Sequence, residues 1–159
     1  MLIIVIATSV IVVGALARDC INKREMDRKL DYATLNSKKH LAMFIIMNNW
    51  LEAKQQQKRM DTFLIEKGYY TVAIYGMHYI GERLYRELEN TQVKVLYGID
   101  QNRNVNNCEL EIYRPDDELP TVDVVIVTAP LYFYSARKLL NKKLNIPIIS
   151  IAEVVEGMR

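Results

Sequence analysis

The sequence predicts an α/β fold: a parallel sheet with flanking helices, preceded by a long N-terminal helix whose first part is a single transmembrane helix. Three observations carry this prediction. From about residue 70 onward, short apolar runs alternate with amphipathic stretches. Those runs are apolar without a strict polar alternation, which means strands buried on both faces under helical cover. The first run ends in a glycine turn that opens a helix, the usual start of a βαβ unit.

The chain begins with LIIVIATSVIVVGALA, Leu2 to Ala17, sixteen residues without a charge, in which only Thr8 and Ser9 carry polar side chains. As a helix this run spans roughly 24 Å, a little less than a bilayer's hydrocarbon core. Ile21 and a snorkelling Arg18 make up the difference. No Lys or Arg precedes the run, which argues against a cleaved signal peptide. A buried strand and helix under a soluble fold is the competing reading. Arg18, Lys23, Arg24, Arg28 and Lys29 follow at once. The positive-inside rule then predicts a single-pass anchor over 1–21 in the cell membrane, with the C-terminal domain in the cytoplasm.

Residues 22–58 read as a helical stalk. Met26, Leu30, Ala33, Ser37, His40, Phe44, Met47 and Leu51 follow the alternating four-three spacing of a heptad seam, weakened at its middle by Ser37 and His40. LAMFIIM, 41–47, is apolar all round and needs cover on more than one side. Two covers are open, the following domain and a second copy in a homodimer through residues 26–51. Trp50 is expected to anchor the helix to the domain, and His40 to be a packed or half-exposed side chain.

The α/β domain is expected over 59–159. After the polar break KQQQKR, MDTFLIEKG reads as a short helix stopped by Gly68. TVAIYG is a strand, GERLYRELEN a helix, and VKVLYGID a second strand. QNRNVNN is a loop, CELEIY an edge strand and PDDELP a turn-rich linker. VDVVIVTA is a further strand, YFYSARKLLNKKL a helix, PIISI the last strand and AEVVEGM a terminal helix.

Charge is unevenly divided. Residues 18–59 hold ten Lys or Arg against five Asp or Glu, a net of +5, and the remaining eleven and fourteen leave 60–159 at −3. A basic stalk suits anionic headgroups. A mildly acidic domain argues against nucleic-acid binding, where a basic face is expected. Cys20 and Cys108 stand far apart in no metal spacing and fit reduced thiols. Acylation of Cys20 beside the membrane is the alternative to a passive thiol.

The turn after the first strand, IYGMHYIGE, nearly spells the pyrophosphate-binding G-x-G-x-x-G. Gly76 and Gly81 hold the first and third glycine positions, and His78 holds the second. Asp100 ends the second strand twenty-four residues after Gly76, near the spacing of the acid that bonds a ribose hydroxyl. In a Rossmann-like sheet these stretches meet Thr128 and Ala129, at the end of VDVVIVTA, beyond the strand ends. The candidate cofactor-binding set is therefore Gly76, Met77, His78, Tyr79, Gly81, Asp100, Thr128 and Ala129. An imidazole at 78 occupies space that the backbone otherwise offers to phosphate. Three outcomes are open: His78 turned outward beside a displaced phosphate, a closed site, or His78 as a general base. No catalytic residue is assigned.

Tyr75, Tyr79, Tyr97, Tyr132, Phe133 and Tyr134 cluster near the predicted strand ends and could stack on a base or pack between helix and sheet. Ser135 and Arg137 are either a phosphate clamp or a helix start with a solvated Arg. Tyr134 and Lys138 match the Tyr-x-x-x-Lys spacing of short-chain dehydrogenases, a spacing that any helix meets easily. Asp116, Asp117 and Glu118 read as turn residues, and no metal site is predicted.

FLIEKGYYTVAIYGMHYIGERLYRELE, VLYGIDQN, PDDELPTVDVVIVTA and IPIISIAEVVE resemble a family of small bacterial Rossmann-like proteins found among surface-polysaccharide genes. They are also similar to the N-terminal part of glycan-pathway sugar N-acyltransferases. The resemblance covers roughly residues 38–156, and IYGM-x-x-x-GE-x-L with the GID strand end is its most specific part. It implies a module that binds a nucleotide-linked sugar and works with a glycan-biosynthesis enzyme. The acyltransferase's catalytic domain has no counterpart here. The expected function is a membrane-anchored module binding a nucleotide or nucleotide-sugar, with NAD(P) as the other ligand class. Its rivals are a scaffold or dimerisation protein with a degenerate site, and an NAD-dependent oxidoreductase or sugar-nucleotide epimerase.

Overall fold

A computed structural model describes residues 2–102 and 109–158, with side chains described from Arg18 onward. Cys108 and most of the QNRNVNN loop lie outside the described residues, as do the side chains of the apolar run Leu2–Ala17. Among the described residues no helix is long and apolar enough to cross a membrane.

The chain forms a long helix α1 (Leu2–Gln55) and a short α2 (Met60–Glu66). Five strands and three helices follow: β1 (Thr71–Tyr75), α3 (Tyr79–Leu88), β2 (Lys94–Ile99), β3 (Ile112–Tyr113), β4 (Val124–Val127), α4 (Phe133–Leu140), β5 (Ile148–Ser150) and α5 (Ile151–Gly157). A 3₁₀ turn, Pro130–Tyr132, leads into α4. The chain divides into two compact units, 1–40 and 41–159. The last turns of α1 thus belong to the α/β unit, whereas the sequence divides the stalk from the domain near residue 58. α1 ends where Gln57 turns left-handed at φ 61°, inside the polar KQQQKR break. α2 stops at Gly68, whose φ of +80° suits a residue without a Cβ.

All five strands are parallel, in the order β3-β2-β1-β4-β5. The edge strand predicted from CELEIY is only Ile112–Tyr113. Val72, Ile74, Val124 and Ile126 face one core, closed by Ile46, Trp50 and Ala53 of α1 and by residues of α2, α3 and α5. Ala73, Tyr97, Ile99, Val125 and Val127 face the other core, covered by Ala136 and Leu140 of α4. Trp50 is buried and anchors α1 to the α/β unit as expected.

β2 changes face partway along. Val72 pairs with Val95 but Ala73 pairs with Tyr97, so Leu96 is an extra residue and the register shifts by one. Alternation alone would set Val95, Tyr97 and Ile99 on one side. The bulge instead puts Val95 against the first core and Tyr97 with Ile99 in the second. At the opposite end of the strands from the glycine turn, the Asp123 carboxylate accepts the N–H groups of Tyr70 (2.9 Å) and Thr71 (2.7 Å). This ties the start of β1 to the start of β4.

Candidate functional site

The turn between β1 and α3 is clamped from three sides. The Gly76 N–H donates to the Ile99 carbonyl at 2.8 Å, binding the turn to β2. The Met77 N–H donates to Asp100 Oδ2 at 2.8 Å. The Thr128 hydroxyl, buried at the end of β4, lies against the carbonyls of Gly76 and Tyr75. A hydroxyl has one proton to donate, so that of Thr128 is committed to the turn itself.

Glycine is needed at 76 and 81 for different reasons. Gly76 has φ +92°, and a Cβ there would meet Thr128 Oγ1 at 2.9 Å. Gly81 lies in the first turn of α3, where a Cβ would come within 2.1 Å of the Gly76 carbonyl oxygen. It is the residue that lets the helix pack down onto the turn, the role of the third glycine in the motif. Position 78 makes no such demand. His78 has φ −81° and ψ −160°, extended backbone open to any residue. Its side chain is exposed and meets the Tyr79 ring edge-on at 4.1 Å between centroids.

His78 is the N-cap of α3, and its side chain makes no capping bond. The ladder of the helix starts with the Glu82 N–H donating to the His78 carbonyl at 2.9 Å. The N–H groups of Tyr79, Ile80 and Gly81 precede it, so they have no carbonyl inside the helix to bond. Together with the positive end of the helix dipole they favour an anion.

Asp100 sits beside this end, half-buried. Its second oxygen, Oδ1, accepts the Asn102 N–H at 3.0 Å, and its own N–H donates to the Tyr113 carbonyl at 2.9 Å. A carboxylate offers about four lone-pair directions, and the described residues take two of them. The half-buried Tyr75 phenol lies close enough to feel this charge. Burial first, and then the Asp100 carboxylate, raise its pKa above the ordinary phenol value and keep it a neutral donor.

The eight candidate residues therefore share one end of the sheet but not one role. The Met77 side chain is buried in the core, crossing β2 at Gly98, where a Cβ would meet Met77 Cγ at 2.7 Å. This explains the glycine of the GID strand end. Ala129 is half-buried, with its Cβ 3.7 Å from where a Gly76 Cβ would stand. The exposed groups at the turn are His78 and Tyr79, and Leu131 and Tyr132 are exposed on the 3₁₀ turn after β4.

Other residues with candidate roles are occupied elsewhere. Tyr97 is buried and donates to the Pro120 carbonyl at 2.6 Å. Phe133 is half-buried, with Arg137 lying over its ring at 5.8 Å, and Ser135 donates to the Tyr132 carbonyl at 2.8 Å. Tyr134 is 81% exposed, and Lys138 is exposed on the same helix. Asp117 accepts the Arg114 N–H at 2.7 Å and closes the PDDELP turn. The bond from Met77 to Asp100 and the clamp by Thr128 were not legible in sequence, because each joins strands by contacts with no local spacing. No protein-family model, curated protein or solved structure matches this chain.

Proposed function

We propose that the chain is a membrane-anchored Rossmann-like module that binds a nucleotide or nucleotide-sugar at the β1–α3 turn, accessory to surface-polysaccharide assembly at the cytoplasmic face. One observation carries the reading. The strand order puts the Gly76 turn, the unbonded first-turn amides of α3 and the Asp100 carboxylate at a single end of the sheet. β3-β2-β1-β4-β5 matches the start of the order used by dinucleotide-binding sheets, whose ligands lie where the order reverses, between β1 and β4. The first-turn amides suit a phosphate, and the lone-pair directions of Asp100 that the described residues leave open suit a ribose diol. His78, exposed at the turn, leaves its backbone accessible and adds a donor beside a displaced phosphate. The apolar start with its basic flank supports the anchor, and the resemblance described above supports the glycan context.

The test is thermal unfolding of the full chain in detergent with UDP-sugars, simple nucleotides, NAD(H) and NADP(H). A ligand at a hundredfold its Kd adds about 2.7 kcal/mol of stability, which moves Tm by several degrees. Asp100→Asn keeps an oxygen for the Met77 N–H and removes acceptor capacity, so it should fold and lose the shift. No shift from any ligand with a well-folded chain would overturn the reading in favour of a scaffold with a closed site.

A further inference from the structure

We infer that the chain self-associates through α1 as a parallel, in-register two-helix pair, with a second copy covering the exposed heptad seam. In the unit that begins at Leu41, α1 has two different apolar faces. Ile46, Trp50 and Ala53 are buried against the sheet. Phe44, Met47 and Leu51 are 68%, 38% and 59% exposed. At 100° per residue the two triplets lie about 120° apart around the helix. The domain therefore uses one face and leaves the seam clear, flanked by Leu41, also exposed. The two covers that the sequence leaves open for 41–47 belong to different sides of the helix.

In the preceding unit, Met26 and Leu30 are each 65% exposed. They stand in the same heptad register as Phe44, Met47 and Leu51, and the seam from 26 to 51 covers nearly four heptads, about the length a coiled coil requires. Such a four-three spacing fits the holes of another helix with the same repeat, whereas a lipid surface imposes no 3.5-residue period. This chain supplies that helix.

The interruptions favour the same occupant. Ser37 and His40 take consecutive a and d positions and are exposed. Against lipid or an apolar groove they would be buried without partners, which disfavours both occupants. In a parallel pair in register, Ser37 faces Ser37 and His40 faces His40 of the second copy, where each side chain can donate and accept. Polar seam residues of this kind set register while weakening the pair.

The test is sedimentation of the full chain in detergent over a range of concentrations. Phe44→Glu with Leu51→Glu replaces exposed side chains, so the fold should persist by near-ultraviolet circular dichroism while the dimer is lost. His40→Leu removes a polar interruption and should tighten association about tenfold or more. In a Cys20→Ser, Cys108→Ser background, Leu30→Cys puts a thiol on the seam itself, and oxidation should join it to its counterpart. A monomer at every concentration would overturn the inference, as would a dimer insensitive to all these seam substitutions. A dimer that Leu30→Cys cannot cross-link would overturn the parallel arrangement, and seam-dependent capture by anionic vesicles without self-association would assign the face to lipid.

Discussion

Gly81 is the residue least free to change. A methyl there meets backbone oxygen, not the flexible end of a side chain. Gly81→Ala should therefore cost about 1–3 kcal/mol, as overpacking does, with a lower urea midpoint and an unchanged slope. Asp100 combines two duties that one substitution separates. Asp100→Ala removes the acceptor of the Met77 N–H and should destabilise by about 1–3 kcal/mol. Asp100→Asn should be milder in stability and as severe in ligand binding. Equal stability losses for both variants would show that the Met77 bond does not hold the turn.

Tyr97 predicts an alkaline limb. Burial first, then the neighbouring Tyr113, raise its pKa from 10.0 to about 12. The unfolded chain ionises near 10 and the folded chain later, so stability falls as pH rises through that window. Tyr97→Phe should flatten the fall measured by denaturant titration between pH 10 and 12. It flattens it in part, because Tyr75 and Tyr113 are raised as well.

Among the elements, the last turns of α1 act as a structural lid on the sheet. Trp50 is 5% exposed, so Trp50→Ala should cost about 3–5 kcal/mol and be read directly in chemical unfolding. An effect below 1 kcal/mol would mean that this stretch of α1 does not close the core. The joint between β1 and β4 rests on Asp123, whose pKa is lowered chiefly by its bond with Thr71, then by the N–H groups of Thr71 and Tyr70. Its contribution is present above the unfolded value of 3.8 and is lost as pH falls through the lower folded value. The stability gap between the chain and its Asp123→Asn variant should therefore shrink as the solution is acidified below that point. A gap independent of pH would assign the clamp to packing and not to charge.

At the scale of the whole molecule, the strand order gives the glycine turn its meaning. A G-x-x-x-x-G spacing with a downstream acid is common enough by chance, but here both glycines are demanded by contact. The sheet brings Asp100 within hydrogen-bond distance of Met77 across twenty-three residues of chain. The compact unit starts at Leu41 and holds both cores. A chain beginning near residue 36 should therefore keep the cooperative unfolding transition of the domain, and on the inference above it should sediment as a weaker dimer or a monomer.

The element order was legible throughout, because each strand is a short apolar run between breakers and each helix carries its own stop. Gly68 and the KQQQKR break act within a few residues of where they stand, whereas the capping box of Ser150 and Glu153 that starts α5 was seen only in the structure. The parallel sheet followed too, since runs apolar on both faces have nowhere else to go. The two-residue length of β3, the bulge at Leu96 and the point where the domain begins within α1 were not legible. Each depends on a partner strand or core distant in the chain. The candidate site divides the same way. Glycines at 76 and 81 and the acid at 100 could be named from local spacing. Only the tertiary structure decided that Met77 turns into the core and that Thr128 spends its proton on the turn. It also decided that His78 faces solvent, because the direction of a side chain is set by what packs beneath it.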